Sequence, residues 1–277
     1  MVIFSLQIFL VSIAAGMLGS ILGLGGGIII IPVLTLIYKV DIEYAIGASI
    51  VAVIATSSGA AVAYIRDKVT NIRIGMFLEI ATTTGAVTGA FVGGILDSKY
   101  LFIIFSLLML YSTIMMLKKT NSELPHNTIQ DPLANKLKLH GEYYDKSLKE
   151  DVKYNVSGVK SSFGVMYFAG IMSGLLGIGS GSFKVMAMDV FMKLPMKVSS
   201  STSNFMIGVT AAASAGVYLL RGDIRPDIAG PVALGVLVGA TAGAKIMQHL
   251  KNKTIRMIFI PVLFYVAVQM FMRGIGA

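Results

Sequence analysis

Long apolar runs limit most narrowly what this chain can fold into. Residues 3–37 and 101–117 contain no charged side chain, and similar runs recur in both halves of the 277-residue chain. A helix needs about 20 apolar residues to cross the hydrocarbon core of a bilayer, whereas a membrane-spanning β-strand needs about ten, alternating with polar ones. The hydrophobic fraction of 55% and the charged fraction of 13% also depart from soluble domains, which average roughly 45–50% and about 25%. The sequence therefore predicts a multi-pass helical protein of the cell (inner) membrane.

Charged and turn-forming clusters divide the chain into eight hydrophobic segments, four on each side of a polar stretch. The stretch between residues 118 and 160 carries eight basic and six acidic side chains. We therefore predict three regions: a first transmembrane repeat at 1–118, a polar cytoplasmic loop at 119–158 and a second transmembrane repeat at 159–277. The charges of the loop and its lack of long apolar runs predict that it is solvated or regulatory and lies outside the transport pathway.

The second half of the chain repeats the first with a constant offset of 154 residues. The matches run through a whole half without a gap, which is difficult to obtain by chance between apolar segments. Such self-similarity indicates a duplicated unit. The matched pairs include Gly23/Gly177, Gly25/Gly179, Gly27/Gly181, Ser49/Ser203, Thr56/Thr210, Tyr64/Tyr218, Gly85/Gly239 and Lys99/Lys253.

The first segment of each half is too long for a single crossing and contains a glycine cluster near its middle. The clusters are residues 23–27 (GLGGG) and 177–181 (GIGSG). Glycines there interrupt a helix and expose backbone polar groups, which a bilayer tolerates only against protein or a water-filled cavity. Each segment is then either a single tilted helix with a glycine packing face or a re-entrant hairpin that returns to the side it entered.

The distribution of basic residues favours the hairpin. If the first and fifth segments return, sixteen Lys and Arg residues lie in loops on one side and five on the other, and cytoplasmic loops collect these residues. If every segment crosses once, the bias vanishes outside the central loop. We therefore predict an all-α polytopic fold with two inverted four-segment repeats, each beginning with a glycine-broken re-entrant hairpin. Both termini are then outside, and the central loop is cytoplasmic.

Four strings within this duplicated frame resemble the sulfite exporter TauE/SafE family, also known as the TSUP transporters. The resemblance covers nearly both halves, whereas the central loop is longer than the compact pattern of the family. It implies a permease that exports or imports small sulfur- or carbon-containing anions, among them sulfite, thiosulfate and sulfonates, without identifying which. The strings are residues 19–32 (GSILGLGGGIIIIP), 75–90 (GMFLEIATTTGAVTGA), 174–188 (GLLGIGSGSFKVMAM) and 197–208 (KVSSSTSNFMIG).

An anion site is predicted at the two glycine clusters. Inverted-repeat transporters bind substrate near the membrane midplane, where broken helices direct their N-termini at an anion. Free backbone N–H groups and the positive end of a helix supply hydrogen-bond donors and about half a unit of charge, and glycine lets a ligand approach the backbone. The alternative is that these glycines only pack helices together. The predicted substrate-binding residues in the clusters are Gly25, Gly26, Gly27, Gly179, Ser180 and Gly181.

Lys184, three residues after Gly181, adds a full positive charge to the predicted site. Its repeat equivalent is Ile30. An ionisable side chain within a membrane segment is costly and by default marks function. The alternatives are that the ammonium reaches the interface or that it pairs with Asp189, which is itself either a coupling group or an interface residue.

Three further polar positions extend the predicted site. Ser57, Ser203 and Asn204 offer neutral hydrogen-bond donors for sulfonate or carboxylate oxygens, although such side chains also pack helices. The Asn204 amide needs a partner because it lies in an apolar segment.

Glu79 is a candidate proton-coupling carboxylate, and the alternative that we favour is an interfacial ion pair with Arg73.

The sequence argues against catalysis and against a resident cofactor or metal. The chain has no cysteine, its three histidines are dispersed, and it lacks a Ser/His/Asp arrangement or a phosphate-binding loop. The net charge of +9 comes from loop residues and does not indicate nucleic acid. We therefore predict a secondary transporter that works by alternating access, with a small anion and the lipid bilayer as its partners. A proton- or cation-coupled carrier of another small solute and an anion channel are the alternatives.

Overall fold

The computed structural model describes residues 2–22, 25–118, 131–146, 148–247, 249 and 252–276. The first half contains α1 (Val2–Leu22), α2 (Gly27–Pro32), α3 (Ile42–Arg66), α4 (Ile72–Gly93) and α5 (Ser98–Lys118). The middle of the chain forms α6 (Pro132–Lys136), β1 (Gly141–Asp145) and β2 (Glu150–Tyr154). The second half contains α7 (Val159–Leu176), α8 (Gly181–Met186), α9 (Met196–Arg221), α10 (Pro226–Met247) and α11 (Asn252–Gly274). Helices α2 and α8 each continue into a π-helical turn, Val33–Ile37 and Ala187–Phe191.

Six helices in the described part of the chain are long and apolar enough to cross a membrane. They are α1, α3, α4, α7, α9 and α10, and shorter apolar helical segments lie at Gly27–Ile37 and Ser98–Tyr111. In a bilayer every backbone polar group must be satisfied within the protein, which a helix does by itself. The prediction of a polytopic helical membrane protein is confirmed.

Helix breaks coincide with both glycine clusters. α1 ends at Leu22 and α2 begins at Gly27, and residues 177–180 separate α7 from α8. The backbone φ angle is +74° at Gly25 and +70° at Gly179, a conformation that is readily adopted only without a Cβ atom. Ser180 also has a positive φ, +47°. The glycines therefore let the chain turn sharply between a long helix and a short one.

Several helices of each half pack against helices of the other half. α10 packs along α1 and α3, and α4 packs along α7 and α9, while α3 meets α9 and α5 pairs with α11. Small residues allow these contacts: a Cβ added to Gly85 would lie 2.3 Å from the Tyr167 carbonyl oxygen, and one added to Gly239 would lie 1.9 Å from that of Ile13. The two glycines and the two carbonyls are each related by the 154-residue offset. The same contact thus occurs twice with the halves exchanged.

Residues 131–158 form a small module, here named the cap, at one end of the helices. β1 and β2 pair antiparallel, with Gly141 opposite Tyr154 and Asp145 opposite Glu150. Apolar side chains of the cap share one buried cluster with α4, α9 and the π-helical turn after α8. The cap contributes Ala134, Leu139, Tyr143, Tyr154 and Val156 to this cluster.

Polar contacts fix the cap to α9 and to the start of α4. Lys197 Nζ donates to Asp145 Oδ1 at 2.7 Å, and the two side chains are only 6% and 4% exposed. The Tyr143 hydroxyl donates to the same carboxylate at 3.1 Å. Burial, reinforced by the Asp145 carboxylate, raises the pKa of Tyr143, which keeps the hydroxyl protonated. On the other side of the cap, Asn71 donates to the Leu139 carbonyl at 2.9 Å.

More than half of the described residues between 131 and 158, in the loop predicted to be solvated or regulatory, are exposed, but several apolar side chains of the cap are buried. The apolar side chains of the cap are too few and too scattered to form a hydrophobic run, yet together they bury against the helices. The loop also contains β1 and β2, two short strands that the prediction of an all-α membrane protein did not include. Residues 119–130 of the predicted loop lie outside the described residues.

At the opposite end of the molecule, the remaining loops contact one another. Ser98 Oγ donates to Glu43 Oε1, which joins the starts of α3 and α5. Arg221 Nη1 donates to the Ala90 carbonyl at 3.2 Å, and its Nη2 lies 2.8 Å from Asp223 Oδ2. The loops that follow α4 and α9 thus lie together, away from the cap.

Candidate functional site

The two glycine turns meet between α3 and α9. A Cβ added to Gly25 would lie 3.1 Å from Val53 and 3.2 Å from Ile207, and one added to Gly27 would lie 3.3 Å from the Gly177 carbonyl oxygen. Val53 and Ile207 are related by the 154-residue offset, so each half contributes an equivalent side chain to the turns. The structure therefore brings the two predicted clusters into direct contact.

In each half, a threonine hydroxyl of the neighbouring long helix contacts either the glycine turn or the short helix that follows it. In the first half, the Gly26 N–H donates to Thr56 Oγ1 at 3.2 Å. In the second half, the equivalent hydroxyl belongs to Thr210, which accepts a hydrogen bond from Lys184 Nζ and donates to Glu79 Oε1. Gly25 and Gly179 both have a positive φ, but Gly26 has a φ of −64° and its equivalent Ser180 one of +47°. The two turns therefore differ in backbone conformation as well as in their charged side chains.

Lys184 and Glu79 form a buried ion pair. The Lys184 side chain is fully buried, the Glu79 side chain is 6% exposed, and 3.8 Å separates Nζ from Oε2. Thr83 Oγ1 donates to Glu79 Oε1 at 3.1 Å. The pair links α8 to α4, and Thr210 of α9 lies between them. Its two charges compensate each other, which lowers the cost of burying either one in an apolar environment.

The partners of Glu79 and Lys184 in the structure differ from the ion pairs that the sequence left open for them. The expected ion pair between Glu79 and Arg73 is wrong: Arg73 donates to the Lys138 carbonyl at 3.4 Å, whereas Glu79 lies almost two helical turns into α4 and faces α9. Lys184 does not extend to the interface and pairs with Glu79 instead of Asp189. Asp189 is half-buried in the π-helical turn after α8.

The predicted hydroxyl and amide groups all make contacts near the turns. Ser57 of α3 donates to the Phe205 carbonyl of α9 at 3.4 Å, and Ser203 donates to the Gly181 carbonyl at 3.4 Å. The amide of Asn204 donates to the Ser20 carbonyl at the end of α1 at 2.7 Å. Its Oδ1 atom is buried with no hydrogen-bond partner among the described residues, and the same holds for Ser180 Oγ.

Protein atoms occupy the space beside two of the glycines. A Cβ added to Gly26 would lie 3.3 Å from Thr56 Oγ1, and one added to Gly27 would lie 2.1 Å from Ser49 Oγ. Glycine at these positions therefore lets α3 approach the first turn, as the helix-packing alternative holds. All the predicted substrate-binding residues are buried, so the site is closed in this conformation.

Sequence reasoning missed the hydroxyls that hold the helix ends. Tyr64 donates to the Ser20 carbonyl at 3.0 Å, and Tyr218 donates to the carbonyl of Gly174, which is the repeat equivalent of Ser20. Thr210 was likewise noted only as the match of Thr56. For the two tyrosines the signal was present, because identical polar residues at equivalent positions of apolar segments have the same buried contact to satisfy.

Comparisons with known proteins agree with the helical architecture. The family model described as "Sulfite exporter TauE/SafE" matches residues 8–270. "Probable membrane transporter protein YunE" of Bacillus subtilis (strain 168) is 29% identical over 276 residues, which cover 94% of this chain and 95% of that protein. "Probable membrane transporter protein YdhB" of the same organism is 23% identical, covering 86% and 88%. A "Probable membrane transporter protein" of Xylella fastidiosa (strain 9a5c) is 26% identical, covering 95% and 96%. No solved structure matches the chain.

Proposed function

Because the chain belongs to the sulfite exporter TauE/SafE family, we propose that it carries small sulfur-containing anions of the sulfite, thiosulfate or sulfonate type by alternating access. Membership makes it a multi-pass membrane transporter and not an enzyme. The observation that carries the proposal is the position of Lys184, whose buried ammonium lies one helical turn beyond the point where the two glycine turns meet. A cation held inside a membrane segment marks the path of an anion.

The proposed anion site lies between the two halves. Lys184 supplies the charge, and Ser180, Ser203 and Asn204 supply polar groups from α9 and the second turn. Ser57 and the glycines of the first turn complete the site from the other half. A sulfonate or sulfite oxygen accepts hydrogen bonds from such groups, and a charge-assisted bond to an ammonium is the strongest of them.

Inverted repeats follow from the same proposal. We assign repeat 1 to residues 1–118 and repeat 2 to residues 159–277, with a re-entrant hairpin at the start of each. The packing of α4 against helices of the second half, and of α10 against helices of the first half, supports this arrangement. So does the cap, which contacts both the loop before α4 and the start of α9, two of the basic loops expected on the cytoplasmic side.

Alternating access is supported by the burial of the site. Lys184, Ser203 and Asn204 have no solvent exposure, so an anion reaches them only when elements of the two halves move apart. The contact between Ser57 of α3 and the Phe205 carbonyl of α9 crosses the boundary that has to open. Inverted repeats commonly rock about such a central boundary.

Ligand-dependent thermal stability of the purified protein tests the proposed function. The panel contains sulfite, thiosulfate and methanesulfonate, with sodium acetate and sodium chloride as anion and ionic-strength controls. An anion at about 100 times its Kd stabilises the folded state by about 2.7 kcal/mol. We expect at least one sulfur oxyanion to raise the unfolding temperature above the controls.

Lys184→Met tests whether this stabilisation comes from the proposed site. Loss of a charged hydrogen bond costs about 1.5–3 kcal/mol, or roughly ten- to a hundred-fold in affinity. The matched control is Lys245→Met, which removes an exposed lysine of α10 and should leave the affinity unchanged. Equal affinities in Lys184→Met and the parent would place the anion elsewhere, and no response to any sulfur oxyanion would refute the substrate class.

A further inference from the structure

Glu79 is a buried carboxylate that anion binding alone does not explain. Its Oε1 atom accepts hydrogen bonds from Thr210 and Thr83. Its Oε2 atom is buried with no hydrogen-bond partner among the described residues and lies 3.8 Å from Lys184 Nζ. Buried polar atoms are rarely left without a hydrogen bond. One oxygen of Glu79 is therefore available to carry a proton.

We propose that Glu79 is a proton-binding site coupled to the anion site, so that each anion that pairs with Lys184 binds together with one proton on Glu79 Oε2. The inference rests on the proposed function, because it requires an anion at Lys184. It adds the coupling ion, a proton, and the stoichiometry of one proton to one monovalent anion. The proton comes from bulk water and returns to it when the anion leaves.

Charge balance in a closed, apolar site carries the argument. Without an anion, Lys184 and Glu79 compensate each other and the site is neutral. A monovalent anion beside Lys184 places two negative charges around one ammonium, and like charges at such a short distance oppose ionisation of one of them. Protonation of Glu79 restores neutrality and removes the competition for Lys184. The anion and the proton therefore favour each other's binding, and the effect is reciprocal.

Other titratable side chains near the pair have partners or point outward. On α5, Tyr111 is partly exposed and its hydroxyl lies 3.4 Å from Met186 Sδ. On α9, Lys197 pairs with Asp145, and Tyr218 donates to the Gly174 carbonyl. Asp189 is half-buried in the π-helical turn after α8. The other titratable side chains on the helices that pack against the pair are exposed: Lys99, Tyr100, Lys160, Tyr167 and Arg221. Among the described residues, Glu79 is the carboxylate within 4 Å of Lys184 Nζ.

The test is proton uptake on anion binding to the full-length parent protein. Methanesulfonate is the probe, because a sulfonate keeps its single negative charge across the neutral pH range. Calorimetry in buffers of different ionisation enthalpy counts the protons taken up per anion. We expect the protein to take up one proton per methanesulfonate near the pH where the affinity changes most steeply. Linkage of one proton then makes methanesulfonate bind up to about tenfold more tightly for each unit that the pH falls.

Glu79→Gln assigns the proton. The amide mimics the protonated carboxyl, so this variant should bind methanesulfonate without proton uptake, and with an affinity that does not change with pH. The matched control Asp227→Asn, which removes an exposed carboxylate of α10, should keep the parent's pH dependence. Should Glu79→Gln not fold, Thr83→Val removes a hydrogen bond to Oε1 and should move the pH profile upward, because the ionised carboxylate loses a donor.

The outcomes separate this inference from the proposed function. Methanesulfonate binding without proton uptake in the parent overturns the proton site and leaves the anion transporter standing. Proton uptake that persists in Glu79→Gln, or a profile that Thr83→Val does not move, assigns the proton to another group and also overturns the inference. A parent that binds no sulfur oxyanion overturns the proposed function and this inference with it.

Discussion

At the scale of single residues, the two repeats differ at a few decisive positions. Thr56 and Thr210 are equivalent, but Thr56 accepts a backbone N–H from Gly26 whereas Thr210 contacts Lys184 and Glu79. The equivalent of Lys184 in the first repeat is Ile30. Among the described residues, a charged pair therefore lies beside only one of the two glycine turns.

Gly179 of the second turn should resist replacement, as should Gly177, which also has a positive φ and close neighbours. The φ of +70° at Gly179 disfavours any Cβ, and an added Cβ would lie 2.7 Å from Val53 Cγ1. We expect Gly179→Ala to destabilise the protein by about 1–2 kcal/mol from the backbone conformation alone, seen as a lower unfolding temperature in detergent. Gly164→Ala is the control, because nothing lies within 4 Å of a Cβ there and alanine favours helix by up to about 1 kcal/mol. A Gly179→Ala protein as stable as Gly164→Ala would contradict this.

At the scale of elements, the cap acts on α9, the helix that carries much of the proposed site. Lys197 lies in the first turn of α9 and pairs with Asp145 of the cap, while Ser203, Asn204 and Thr210 follow on the same helix. The cap is also attached to the start of α4 through Asn71, and α4 carries Glu79. Two of the helices that hold polar groups of the site, α4 and α9, are therefore anchored to one module.

Asp145→Ala should be strongly destabilising. It leaves the Lys197 ammonium buried without this carboxylate, and removing one partner of a buried pair costs about 3–5 kcal/mol. Glu142→Ala is the matched control in the same strand, because Glu142 and Lys153 are 67% and 82% exposed and 3.9 Å apart, and an exposed pair contributes at most about 1 kcal/mol. Thermal unfolding of both variants checks the difference, and similar midpoints would show that the cap pair is not important for stability.

At the scale of the whole molecule, the inverted arrangement predicts which loops share a side of the membrane. Equivalent loops of the two repeats lie on opposite sides if each repeat begins with a re-entrant hairpin, and on the same side if all eight segments cross. The contact of Asp145 of the cap with Lys197 at the start of α9 and the contact of Arg221 with the Ala90 carbonyl agree with the first arrangement.

Single cysteines decide between the two topologies, because the chain has no cysteine of its own. Lys99→Cys and Lys253→Cys lie in the first turns of α5 and α11, at equivalent positions of the two halves. We expect a membrane-impermeant maleimide to label the first from outside and the second only from the cytoplasmic side. Val2→Cys and Gln130→Cys should likewise label from opposite sides. Labelling of either pair from a single side would exclude the inverted hairpin arrangement.

The sequence by itself determined the class of the protein and the helix breaks, and it singled out Lys184 as an ionisable residue in an apolar segment. These properties are local: hydrophobicity selects the membrane, glycine clusters end helices, and a lysine in an apolar run is costly wherever the chain folds. Only the tertiary structure decided three other features. They are the pairing of Lys184 with Glu79, the packing of α4 and α10 against helices of the opposite half, and the docking of the cap. They join residues far apart in the chain, and helices that are apolar on nearly every side carry little information about which face meets which neighbour.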